Sequence, residues 1–402
     1  MTTFLGTPGN DLFDGDGAND NAFGFEGNDT LYGRNGDDTL FGGDGDDRLY
    51  GGSGADRITD EGVLGQCWGG GGADIITVFG AASAFGEGGA DLLISGDLGT
   101  LLDGGDGDDT LNAGAGEDVM RGGLGANRLV GGDGFDTATY DTAAAGVRLN
   151  LAAGTVTGTG ISDRLESVEW IIGSAFGDLL VGDTSHSVLD GGGGDDSIRG
   201  GAGSDAILGG DGNDIITASG NRVALHGDAG DDFIFVISGG GFITGGDGQD
   251  RLGGGYRADL IRGDAGQDLL NGFGGADVLD GGNGADDLYG GADGDNLTGG
   301  GRADTFHFNN LSDSTPGAPD RITDLADEDV IDLHLIDADT GPNAPGDQAF
   351  HLVQGFGQHA GEAVLAFDGK TTSLSLDVDG DGLADALIKI DGDHTGFRNF
   401  VL

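Results

Sequence analysis

From Gly36 to Thr59 the chain reads GDDTLFGGDGDDRLYGGSGADRIT, and both its aspartates and its apolar side chains return every ninth residue. Asp11, Asp20, Asp29, Asp38, Asp47 and Asp56 keep this step, and the phase comes back at Asp74, Asp91, Asp109, Asp118 and Asp136. A second block runs from Asp178 through Asp196, Asp205, Asp214, Asp232, Asp250, Asp259, Asp268, Asp277, Asp286 and Asp295 to Asp304. Two positions after most of these stands an apolar residue, such as Phe13, Leu31, Leu40, Leu49, Ile58, Ile198, Ile216, Leu252 or Leu288. The unit is G-G-x-G-x-D-x-U-x, with U apolar. Few folds accept such a period. Its six-residue start is a turn, in which glycine supplies backbone angles closed to other residues. Its last three residues are a short strand with U pointing inward. Two units complete a coil, and stacked coils form two parallel sheets around a thin aliphatic core. The expected class is all-β.

A flexible Gly/Asp-rich linker would share this composition. It would not hold U apolar in phase, so the periodicity argues for order. Collagen requires glycine at every third residue, which is not the pattern here. Order is nevertheless costly. Among 402 residues the chain has 91 glycines, 71 acidic and 17 basic residues, and a formal charge of −54. Such a charge opposes compaction and makes nucleic acid or an anionic membrane surface a poor partner. One apolar residue in nine is too little core to offset chain entropy. Cations must supply the difference. Turns on the same edge of successive coils lie about 4.8 Å apart, so their carboxylates and glycine carbonyls can surround a hard cation with six oxygens, which suits Ca²⁺.

The repeat resembles that of the RTX proteins, whose Ca²⁺-binding nonapeptides build a parallel β-roll. The likeness covers roughly three quarters of the chain. It implies that the aspartates named above are calcium ligands. It also implies export by the type I secretion machinery of a Gram-negative bacterium, with the signal at the C-terminus. Roughly fifteen to twenty ions are expected, offsetting about 30 to 40 of the negative charges. The metal-free chain should be expanded and the loaded one folded. Extracellular calcium modules bind with dissociation constants of about 10⁻⁴ to 10⁻³ M, so folding should wait until the chain is outside the cell.

Four segments are expected: a first β-roll over 1–139, a β-rich connector over 140–177, a second roll over 178–307 and a β-rich cap over 308–402. The connector contains Val147-Arg148-Leu149-Asn150-Leu151, which alternates as a strand should. The last segment has ordinary hydrophobic density and resembles the C-terminal domain of serralysin-type secreted proteins. Its end, GFRNFVL, departs from the usual acidic tail at Asn399. Within it Asp377, Asp379, Asp381 and Asp385 fall at positions 1, 3, 5 and 9 of an EF-hand-like loop, with Gly382 at 6 and Ile388 instead of Glu at 12. A partial calcium loop and a merely solvated acidic turn both fit that pattern.

Alternate aspartates share an edge of the roll. One edge of the first block is unbroken from Asp20 to Asp109. The other reads Asp11, Asp29, Asp47, then Gly65, Ser83 and Thr100 before Asp118, so three consecutive sites are expected to be missing. Apolar Val63, Leu64, Trp68, Phe79, Phe85 and Leu98 lie around the gap. These turns either pack without an ion or present a lateral contact patch. In the second block Ser187, Val223 and Gly241 replace aspartate. The single cysteine, Cys67, excludes internal disulfides and falls at a U position, where a small buried hydrophobe is expected.

No catalytic constellation appears. None of the seven histidines fits H-E-x-x-H, and G-x-S-x-G is absent. The G-x-G-x-x-G-like strings are products of the repeat. The start, MTTFLGTPGND, has no basic or apolar region, so no cleaved N-terminal signal is expected, and no apolar run is long enough to span a membrane. Only Met1 to Leu5 precede the first repeat, so the first coil is expected to present a bare strand edge that invites pairing with another chain. The sequence thus points to a non-enzymatic extracellular protein, at the cell surface or in the matrix, that assembles with itself head to tail into a filament, surface layer or biofilm matrix. The alternative is a soluble adhesin or module that binds a surface polysaccharide.

Overall fold

A computed structural model describes residues 1–339 and 348–401 and divides into two compact units, Met1–Gly193 and Gly194–Leu402. In the first, strands alternate between two parallel sheets, as a period of two nonapeptides requires. One sheet takes Thr3–Leu5, Asn21–Glu26, Thr39–Asp44, Arg57–Asp60, Ile75–Val78, Leu92–Ile94, Thr110–Asn112 and Arg128–Val130. The other takes Leu12–Asp14, Thr30–Asn35, Arg48–Ser53, Gln66–Gly72, Ser83–Gly89, Leu101–Asp103, Val119–Arg121 and Thr137–Thr139. Leu31 pairs with Leu49, and Leu40 with Ile58. The U residues therefore stack in two buried columns. Cys67 takes its place in one column, pairing with Leu49 and Ala84, and is fully buried. The fold is the all-β parallel roll that the repeat implies.

The turns need their glycines for two reasons. Gly43 and Gly45 have φ of 105° and 142°, which side-chain-bearing residues rarely adopt. A Cβ at Gly43 would also overlap the Phe25 carbonyl of the preceding coil.

Residues 140–177 carry the ladder onward by different means. On one sheet Trp170–Ile172 pairs directly with Thr137–Thr139 and with Val188–Asp190. On the other, an antiparallel meander enters the sheet. Ile161–Glu166 takes up the parallel pairing from Arg128–Val130, and Thr155–Gly158 joins it antiparallel to Arg148–Asn150. Arg148–Asn150 then hands the parallel ladder to Leu179–Val181.

The second unit repeats the two-sheet plan from Ser197–Arg199 to Thr305–His307. Its final coil is formed by Arg321–Ile322 and Val330–Asp332, which pair in parallel with Asn296–Leu297 and Thr305–His307. An antiparallel sheet of Glu362–Phe367, Thr371–Asp377 and Ala386–Asp391 closes it, because Arg321–Ile322 pairs onward with Lys389–Ile390. Phe306, Phe308, Ile331, Leu374, Leu376 and Ile390 are buried at this end. Asn399 ties the C-terminal strand down, its Nδ2 donating to the Asp329 carbonyl at 2.6 Å.

Candidate metal centres

Each repeat aspartate follows a glycine turn and precedes a strand, so its side chain folds back under the turn. The phase brings such residues together rung over rung. The Asp20 N–H donates to Asp38 Oδ1, Asp38 to Asp56 and Asp56 to Asp74, each at 2.7 Å. Asp74 and Asp91 continue the series to Asp91 and Asp109 at 2.8 Å. On the other edge Asp11 donates to Asp29 and Asp29 to Asp47, and further on Asp118 donates to Asp136 at 3.0 Å. In the second unit one ladder climbs from Asp196 through Asp214, Asp232, Asp250, Asp268 and Asp286 to Asp304. The other links Asp259, Asp277 and Asp295. One carboxylate oxygen of each link is thus satisfied by backbone.

The second oxygen is not. Oδ2 of Asp29, Asp38, Asp47, Asp56, Asp74, Asp91, Asp109, Asp118 and Asp136 is buried with no hydrogen-bond partner. The same holds for Asp214, Asp232, Asp250, Asp268, Asp277, Asp286, Asp295 and Asp304. A buried carboxylate oxygen without a donor is costly, and here the cost recurs at each of these aspartates. The space beside it is lined by oxygen. A Cβ built on Gly33 would overlap Asp38 Oδ2 and lie 2.6 Å from the carbonyl oxygen of Gly51 on the next coil. Gly51 repeats the arrangement with Asp56 and the Gly69 carbonyl at 2.5 Å. Anionic and carbonyl oxygens around a point left open by glycine are the donor set of a hard divalent cation. The residues present therefore fit calcium.

The electrostatics agree. Burial, only partly offset by the ladder N–H, pushes Asp91, Asp232 and Asp268 up to about 7 and Asp277 to about 8. Neighbouring aspartates on the same edge add to the shift. Without a cation these groups resist ionisation, and a cation reverses that preference.

Not every repeat aspartate is built alike. In the turns of Asp11, Asp20, Asp178 and Asp259, Oδ2 accepts from the backbone N–H of Thr7, Asp16, Ser174 and Gly255. That amide supplies the partner that Oδ2 lacks in the turns above. Asp205 is buried in the same position of its turn.

Periodicity also passes over several members. Asp109 donates to Asn127 Oδ1 at 2.9 Å, and Asn127 to Asp163 Oδ1 at 3.1 Å. Asp136 donates to Glu169 at 3.0 Å. Asp295 and Asp304 donate to Asp320 and Asp329 at 2.9 and 3.0 Å. Asp320 is fully buried with Oδ2 unpartnered, and burial pushes its carboxyl up to about 9. Asp60, likewise fully buried, lies beside Asp47.

The EF-hand-like loop gathers part of its set. Carboxylate oxygens of Asp377, Asp379 and Asp385 lie within 4.8 Å of one another. Asp381 is exposed and outside that group. Asp377 accepts from the Gly380 and Gly382 N–H groups at 2.7 and 2.9 Å, which shapes the loop. Ile388 is buried within a strand, so position 12 offers no ligand.

Two family models match. That for the RTX calcium-binding nonapeptide repeat covers residues 23–58 and 103–138. That for the Peptidase M10 serralysin C terminal covers 180–402. No catalytic peptidase domain is among the matches. Metalloprotease AprA of Pseudomonas entomophila (strain L48) is 45% identical over 87 residues, which are 21% of this chain and 17% of that protein. The chain therefore matches only a minor part of that relative's length. The solution structure of the AlgE6R3 subunit from the Azotobacter vinelandii mannuronan C5-epimerase is 28% identical, covering 38% of this chain and 77% of that one, with a TM-score of 0.20.

Proposed function

The chain belongs to the RTX calcium-binding proteins that carry a serralysin C-terminal domain, and we propose that it is a non-enzymatic structural protein that folds on calcium outside the cell. Repeats and C-terminal domain together mark a type I secreted, extracellular protein. One observation carries the proposal: the stacked, buried Oδ2 atoms that have no donor of their own. Roughly fifteen to twenty Ca²⁺ ions along the two edges would satisfy them. Metal binding then is folding free energy, because an unfolded chain holds no such site. Cytosolic calcium is too low to load sites of millimolar class, so the chain reaches the secretion channel unfolded. Far-UV circular dichroism tests this directly. The spectrum should change from coil to β between excess chelator and millimolar calcium, and identical spectra would refute the reading.

Self-assembly is the finer part of the proposal. Thr3–Leu5 pairs with Asn21–Phe23, and Leu12–Asp14 with Thr30–Tyr32, each along one edge. Leu5 and Leu12, within these two strands, are 65% and 69% exposed. Strand edges of this kind recruit further strands. If the C-terminal cap of one molecule receives them, the contact is heterologous and propagates as a filament.

A second reading, a module that binds a partner laterally, is favoured by the exposed side chains of Val63, Leu64, Phe79 and Leu98 on successive turns of one edge. A polysaccharide would find few ring faces there. Tyr32, Tyr50, Trp68 and Phe85 stack on each other, with centroids 4.7, 4.5 and 5.5 Å apart, and so spend their faces internally. Electron microscopy in calcium separates the two. Ordered fibres or sheets support assembly, and single particles at high concentration support the module.

A further inference from the structure

The turn at residues 60–65 is one of the three that lack the repeat aspartate, and it has not lost its carboxylate. In an ordinary turn the first residue is glycine because its Cβ direction points at the turn's own aspartate. A Cβ on Gly24, Gly33 or Gly42 would overlap Oδ2 of Asp29, Asp38 or Asp47. The turn at 60–65 exchanges the two residue types: aspartate stands first, as Asp60, and glycine last, as Gly65. A Cβ on Gly65 would overlap Asp60 Oδ2. The Asp60 carboxylate thus enters the space that a repeat aspartate at 65 would fill, approaching from the opposite end of the turn.

Asp60 meets the ladder there. An atom at the Cβ position of Gly42 would lie 2.9 Å from Asp60 Oδ1 and overlap Asp47 Oδ2. Two carboxylates therefore converge beside Gly42. Asp60 is completely buried, and its Oδ2 and that of Asp47 have no hydrogen-bond partner. The chain supplies Asp60 with one weak donor, the Gly62 N–H, 3.3 Å from Oδ1. The next two turns on this edge are filled without a carboxylate. Val78, fully buried, stands first in one. In the other Ser95 does, its Oγ 2.8 Å from Thr100 Oγ1, which donates to Asp118 Oδ1 at 2.6 Å.

We propose that Asp60 replaces the missing repeat aspartate as ligand of a calcium ion shared with Asp47, so that this edge carries its metal one rung beyond the nonapeptide pattern and is metal-free over two turns, not three. The inference rests on the calcium reading above. It predicts that the swap can be undone: Asp60→Gly with Gly65→Asp restores an ordinary turn, since the atoms nearest a Cβ at Gly65 belong to Asp60 itself and Gly65 does not need a positive φ.

Native mass spectrometry of the full chain in calcium resolves single ions and gives the test. Asp60→Asn should hold one ion fewer than wild type, and the double variant Asp60→Gly/Gly65→Asp should hold the wild-type number. An unchanged count in Asp60→Asn would overturn the inference and leave a proton shared between Asp47 and Asp60. A double variant that gains an ion over wild type would overturn it as well, and this arm stands even if Asp60→Asn does not fold. A wild-type chain that binds no calcium would sink the underlying reading instead.

Discussion

Removing calcium should uncover a pH dependence whose direction follows from burial. Asp320 is fully buried, and its carboxyl is pushed up to about 9 from an ordinary 3.8. The folded chain therefore binds this proton more tightly than the unfolded chain does. The metal-free fold is favoured below pH 4 and progressively loses that advantage as the pH rises towards 9. At pH 7 the gap from 3.8 corresponds to about 4 kcal/mol for this one group. A whole domain is stable by only about 5–15 kcal/mol. Asp277, at about 8, and Asp91, Asp232 and Asp268, at about 7, act in the same direction. In excess chelator, circular dichroism and hydrodynamic radius should report a compact chain near pH 4.5 and an expanded one above pH 7. Calcium should abolish the difference. Asp320→Asn keeps an acceptor for the Asp295 N–H and removes the charge. It should remain compact to higher pH in chelator, yet require more calcium to fold at pH 7.5. A chelated chain that stays compact through pH 8, or that unfolds on mild acidification, would refute the argument.

Three further outcomes follow from the same geometry. Gly33→Ala introduces a methyl group that overlaps Asp38 Oδ2 at a residue whose φ is not left-handed, so it should lose calcium locally, read as one or two ions fewer by native mass spectrometry. Leu270→Ala empties a fully buried position and should cost about 2–5 kcal/mol, raising the calcium midpoint of folding while leaving the ion count unchanged. Cys67 is fully buried, and burial raises its thiol pKa well above the ordinary range. It should ignore a thiol reagent such as dithionitrobenzoate in calcium and react within minutes in chelator.

The repeat made the coil legible because the period fixes direction as well as order. Leu31 and Leu49 must stack if each coil takes two nonapeptides, and they do. The ladder of aspartates is legible for the same reason. What escaped the period is what departs from it. Asp295 meets Asp320 across 25 residues, and Asn127 meets Asp163 across 36, because loops and a meander intervene. No fixed step could have found them. Asp60 was hidden differently: it is in the right turn at the wrong end, and only the Cβ direction of Gly65 reveals that the two residues compete for one space. Asp178 and Asp259 look like any other repeat aspartate in sequence. The conformation of the turn, which directs a backbone N–H at Oδ2, distinguishes them. The meander over 148–166 was legible as strand but not as antiparallel, since alternation gives a strand its faces and leaves its partner open.

The central claim is that divalent cations occupy the oxygen-lined spaces between successive buried aspartates. Crystals grown in millimolar calcium, with anomalous data collected at long wavelength, test it most directly. Anomalous peaks are expected about 2.3–2.6 Å from Oδ2 of Asp38, Asp56 and Asp74 and from the glycine carbonyls of the adjacent coils. Ordered aspartate ladders with only water, or with no density, at those points would contradict it.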